Sequence, residues 1–160
     1  MLTTAQLATL KADILADPIL SQWAATGYMA SEIADAYNQL AAPEWIVWKT
    51  DVSVDEIMRN GMDWARVDNL SVGKARIWDW MGRLGTFDAS RPNIRAGIDA
   101  SWVGTAADLA VRAMVYTHCK RPATRGEKIL STGAGTTESP ATMSFEGYLN
   151  YQNIEAALRS

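Results

Sequence analysis

At 160 residues, 48% hydrophobic and 21% charged, the chain is long enough for one well-buried core and does not read as disordered. Its net charge of −3 gives no global attraction to nucleic acid. One cysteine excludes an intrachain disulfide, and no apolar stretch approaches a membrane span. The charge is uneven along the chain. Residues 1–60 carry eight acids against Lys11, Lys49 and Arg59, whereas residues 61–160 hold ten acids and twelve bases. The start Met1–Gln6 lacks a basic region and a long apolar run, so no signal peptide is expected. Seven tryptophans are many for this length and point to extensive contact surface.

In chain order, Thr3 or Thr4 caps a first predicted helix to about Ala16, with Leu7, Leu10, Ile14 and Leu15 as its stripe. Asp17-Pro18 ends it, a short turn through Trp23 follows, and Gly27 breaks that. A second helix runs from about Ala30 to Leu40 and stops before Ala42-Pro43. Residues 44–50, aromatic and β-branched, suit either a strand or a buried connector. Ser53 to Glu56 has capping-box spacing and opens a short helix that Asn60-Gly61 stops.

A longer helix begins between Asp68 and Ser71 and reaches Leu84. Asp88 or Ser90 caps the next, which has Pro92 in its first turn and runs to about Trp102. Ala106 to His118 is strongly helical, and Thr124 to Glu127 is a second capping box opening a helix that ends near Leu130. Residues 131–140 read as a flexible loop. Strands are expected over 141–146 and 148–151 around Gly147, then a short helix from Asn153 to Leu158. The fold class expected is mainly α. A compact helical bundle fills 1–130, and 131–160 adds the loop, a β-hairpin arm and a short terminal helix, in the same domain or as an extension.

No constellation for catalysis stands out. His118 is the single histidine, which excludes a His-based metal set within one chain, and its ordinary role is packing or helix capping. Cys119 reads as a small buried thiol. Gly133-Ala134-Gly135 lacks the Gly-Lys-Ser/Thr and the preceding strand of a phosphate loop. Asp55-Glu56 suits a helix first turn. The chain is therefore not expected to be an enzyme and no cofactor is expected.

Lys120, Arg121, Arg125 and Lys128 form the densest basic cluster. They are either helix-end cations or a patch facing DNA or an acidic subunit, and no aromatic platform interleaves them. Trp45, Trp48, Trp78, Trp80, Phe145 and Tyr148 are candidates for a subunit interface, with core filling as the alternative. Because helix residues two apart do not share a face, Trp78 and Trp80 must point in different directions.

Several stretches carry a family resemblance: Leu2–Ile14, Val47–Val52, Asp68–Met81, Lys120–Lys128 and Ser139–Gly147. Over almost the whole chain they resemble a family of small proteins from the structural gene modules of tailed bacteriophages. Proteins of this size and helical content are similar to head–tail connector, or adaptor, subunits. The resemblance implies a virion protein made in the host cytoplasm. It would form a homo-oligomeric ring, dock on the portal, and prolong a channel in which it touches DNA non-specifically. Neck or tail proteins are the other implied partners, and no membrane is. A capsid decoration (cement) protein and a small phage-encoded inhibitor of a host protein are the competing expectations.

Overall fold

The computed structural model describes residues 1–160. The chain begins with α1 (Thr4–Ala16), α2 (Leu20–Thr26), α3 (Ala30–Asn38) and β1 (Ile46–Trp48). It continues with β2 (Val52–Ser53), α4 (Val54–Arg59), α5 (Trp64–Asp68), α6 (Val72–Gly82), β3 (Thr86–Phe87), α7 (Pro92–Ser101) and α8 (Ala106–His118). It ends with β4 (Lys120–Pro122), α9 (Arg125–Ile129), β5 (Ser131–Thr132), β6 (Thr142–Met143) and α10 (Tyr151–Arg159). The protein is mainly α, and its strands are two or three residues long and pair two by two: β1 with β4, β2 with β3, β5 with β6.

The chain divides into two units, one built from residues 1–47 and 122–160 and the other from 48–121. In the first, α1 buries Leu10 and Ile14 completely, each worth about 1.5–3 kcal/mol of transfer free energy. They meet Ile33, Ala34 and Tyr37 of α3, Leu130, Leu149, and Ile154 and Ala157 of α10. Reciprocal caps fix the helix starts. Thr3 accepts from the Gln6 N–H while the Gln6 side chain accepts from the Thr3 N–H, and the pairs Thr124/Glu127 and Asn150/Asn153 repeat this. Polar links add to this apolar contact between distant parts of the chain: Gln6 donates to the Ser144 carbonyl, and Asn38 bonds both the carbonyl and the N–H of Leu149.

The second unit packs Val52, Ile57, Met62, Trp78, Met81, Phe87, Ile98, Trp102, Val111 and Val115 together. Trp78 and Trp102 meet edge to face at 5.3 Å between ring centroids. Trp102 is fully buried and its Nε1 has no hydrogen-bond partner. The start of α8 carries a capping box, Thr105/Asp108, and Arg66 of α5 pairs with the same carboxylate at 2.6 Å. The Thr105 N–H, then Arg66, then the Thr105 hydroxyl hold the Asp108 pKa down at about 2.

Several expectations need correction. The hairpin does not fold around Gly147. Ser131 and Thr132 pair antiparallel with Met143 and Thr142, so the turn is the 133–141 loop, and Tyr151 already lies in α10. Gly147, at φ +113, instead gives its N–H to the buried Glu127 carboxylate, which ties the segment to α9. The Ser53 box is half formed: Ser53 accepts from the Glu56 N–H, while the Glu56 carboxylate faces His118 at 3.3 Å. Arg91, whose side chain makes no capping bond to the helix, is the N-cap of α7, because Asp88 turns to the Ser90 N–H and hydroxyl and to the Arg91 guanidinium. Helices α2 and α5 lie outside the elements that the sequence predicts. The first starts where the Asp17 carboxylate accepts the N–H groups of Ile19 and Leu20, the second where Asp63 caps Arg66.

Candidate functional site, two tryptophans under lysines

Strand β1 carries Trp48 at its end, with Trp45 just before its start. Each tryptophan lies under a lysine from the 120–128 segment, within its own unit. In the second unit the Lys120 ammonium is 5.4 Å from the Trp48 ring centroid and 5.8 Å from that of Tyr116. The Arg95 guanidinium lies 4.8 Å from the Trp48 ring, and the Trp48 and Tyr116 rings are 5.7 Å apart and tilted by 56°. Such pairs are worth about 0.5–1 kcal/mol each where exposed. Arg95 is held in place by the Ala89 and Ser90 carbonyls, both accepting at 2.7 Å. The Tyr116 hydroxyl donates to Asp99, and burial first, then that carboxylate, pushes its pKa above the ordinary phenol value. Cys119 beside this cluster is buried, which raises its thiol to about 12 and leaves it an inert neutral group.

In the first unit Lys128 sits 5.3 Å over the Trp45 ring, and the Trp45 indole N–H donates to Ser131. Gly135 covers the ring so closely that a Cβ there would overlap it, and the Gly135 carbonyl accepts the Ile46 N–H at 2.8 Å. The expected flexible loop is thus packed against β1, and the absence of a side chain at 135 makes that contact sterically available.

The basic cluster therefore does have aromatic platforms, contrary to expectation. Trp48 and Trp45 come from positions far away in sequence, where no local spacing could reveal them, whereas Tyr116 lies just before Lys120 in the chain. Arg125, however, is spoken for. It pairs with Asp13 at 2.8 Å and Asp17 at 2.9 Å and lies 4.7 Å over the Tyr37 ring. Tyr37 donates to the same Asp13, and burial with that contact raises its pKa beyond the phenol range. Asp17 is held below the carboxylate range by the Leu20 and Ile19 N–H groups and by Arg125. Arg121 lies on β4. Of the remaining aromatic candidates, Trp78 is core and Trp80 exposed, as their spacing required. Phe145 packs on the first unit's core, and Tyr148 is exposed.

Sequence reasoning missed Arg95, Tyr116 and the Asp13–Asp17–Arg125 set. Arg95 and the Asp13–Asp17–Arg125 set are assembled by tertiary contact, whereas Tyr116 is a near neighbour of Lys120 in sequence. The second unit also has an open apolar cleft of about 480 Å³ lined by Val54, Met58, Val67, Leu70 and Trp78. No His, Cys, Asp or Glu cluster has the makings of a metal site, and no helix is long and apolar enough to cross a membrane. Compared with known protein families, curated proteins and solved structures, the chain gives no match.

Proposed function

We propose that this chain is a virion structural protein of a tailed bacteriophage, a head–tail connector subunit. It docks on the portal as one member of a homo-oligomeric ring and extends the DNA channel toward neck and tail proteins. Its work is mechanical, with no catalytic step and no cofactor. It is made in the host cytoplasm and resides in the particle.

The observation that carries this reading is the unequal charge of the two units. The first unit holds nine acids and four bases, and the second nine acids and eleven bases. A subunit whose parts differ in net charge suits the head-to-tail contacts that generate rings. The stretches quoted above for their likeness to phage structural-module proteins support the same reading. Lys120 over Trp48, with Arg95 and Lys49 nearby, is the surface we assign to non-specific DNA contact, since phosphate binding asks only for positive charge.

Purified particles test the proposal. A connector is expected at about a dozen copies per virion or fewer, because a ring closes after a small number of subunits. Hundreds of copies would make it a decoration protein. Absence from particles, with one stoichiometric host partner in a pull-down, would make it an inhibitor.

A further inference from the structure

We infer that the outer face of α6, in the second unit, docks on the outer face of α3 in the first unit of another copy of this chain. The inference rests on the oligomeric reading above and goes beyond it by naming both faces.

On α6, Val72, Arg76 and Trp80 follow at four-residue spacing, and Leu84 continues the row just past the helix end. Val72, Trp80 and Leu84 are 75%, 63% and 62% exposed, whereas Trp78 and Met81 on the opposite side are buried. Single exposed hydrophobes are ordinary, but a row of them around an arginine has the composition of an interface centre. The flanking Asp79 and Arg83 neutralise each other at 2.9 Å. Arg76 makes no ion pair and no side-chain hydrogen bond, so the face carries one uncompensated positive charge.

On α3 the buried side holds Ile33, Ala34 and Tyr37, which turns Glu32 and Asp35 outward together. Tyr28, 93% exposed, lies one turn upstream of Glu32. Neither carboxylate has an ion pair. Their own unit has no cation to spare: Lys11 is bonded to the Ser160 carbonyl and Arg125 to Asp13 and Asp17. Lys128 lies over Trp45, and Arg159 pairs with Glu155. The acidic face and the apolar, cationic face thus complement each other in charge, and every copy carries both.

Charge also decides the symmetry. A two-fold contact of α6 on α6 would bring Arg76 against Arg76, and α3 on α3 would oppose two pairs of carboxylates. Both juxtapositions are repulsive, whereas α6 on α3 is attractive. The contact is therefore heterologous, and its repetition closes a ring or grows a filament.

Sedimentation at millimolar protein tests this with substitutions confined to exposed side chains, and circular dichroism verifies their folding. The unaltered chain is expected to self-associate, more weakly as salt rises. Trp80→Ala and Arg76→Glu should each weaken association roughly tenfold or more, as removal of a central tryptophan or arginine does elsewhere. A chain carrying both Glu32→Arg and Asp35→Arg should be similarly impaired alone. Mixing that chain with the Arg76→Glu chain should restore association, because the charges are then reversed on both sides. An unaltered chain that stays monomeric at millimolar concentration would overturn the inference. So would variants that associate like the unaltered chain, or a mixture without recovery. Copy number in particles is read separately, so the connector reading can survive the loss of this pairing, and the converse holds.

Discussion

Each unit buries an apolar core, but the two are built from the chain in different ways. The first is assembled from the two ends of the chain and tied by polar links across more than a hundred residues, Gln6 to Ser144, Asn38 to Leu149 and Arg125 to Asp13. The second is one continuous stretch, and its centre is aromatic and aliphatic, built on the Trp78–Trp102 pair. Desolvation of large apolar side chains is non-directional and strong, whereas each polar link is directional and modest in net energy. Both cores answer to lost volume, the second most at its large tryptophans, while the first depends in addition on its polar partners and on the places where its backbone approaches closely.

The largest effect is expected from Trp102→Ala. Removing a fully buried indole should cost about 3–5 kcal/mol, read by chemical denaturation, and hydrogen exchange should show the loss in residues 48–121. Protection lost mainly in α1 and α10 would break the contrast. Next comes Gly135→Ala, which places a methyl where Trp45 lies at a residue with φ +65. Left-handed strain and overpacking together suggest about 2–4 kcal/mol, with a change in tryptophan fluorescence as the ring is displaced. An unchanged spectrum would show that the loop does not bear on Trp45.

A smaller loss should follow Arg125→Met, which keeps the stem over Tyr37 but leaves Asp13 and Asp17 without their cation. All three groups are partly exposed, so about 1–2 kcal/mol is expected, shrinking with added salt. A salt-independent loss would mean that packing on Tyr37, not charge, is what Arg125 provides.

Acid should act on the second unit through Asp108. Its folded pKa of about 2 lies below the ordinary value of 3.8, so its contribution is complete above pH 4 and fades as pH falls toward 2. Asp108→Asn should flatten that part of the stability profile. An equally steep profile in the variant would assign the acid loss to other carboxylates. The smallest effect, within about 1 kcal/mol, is expected for Lys128→Met, since a partly exposed cation over Trp45 is easily replaced by another apolar stem.

What the sequence by itself determined is local. The α8 boundaries, Ala106–His118, are those of the strongly helical stretch read from the sequence, and the Thr124/Glu127 box starts α9 as its pattern requires. The opposite directions of Trp78 and Trp80 follow from helix geometry alone. These features depend on neighbours within four residues, which a linear reading contains. The tertiary structure decided the rest. Whether Ser131 pairs with Met143, whether Lys120 finds Trp48, and whether Arg125 is consumed by Asp13 and Asp17 all depend on which distant segments the cores bring together. Apolar burial selects that arrangement with little regard to sequence order. The polar partners then form wherever burial has left donors and acceptors within reach.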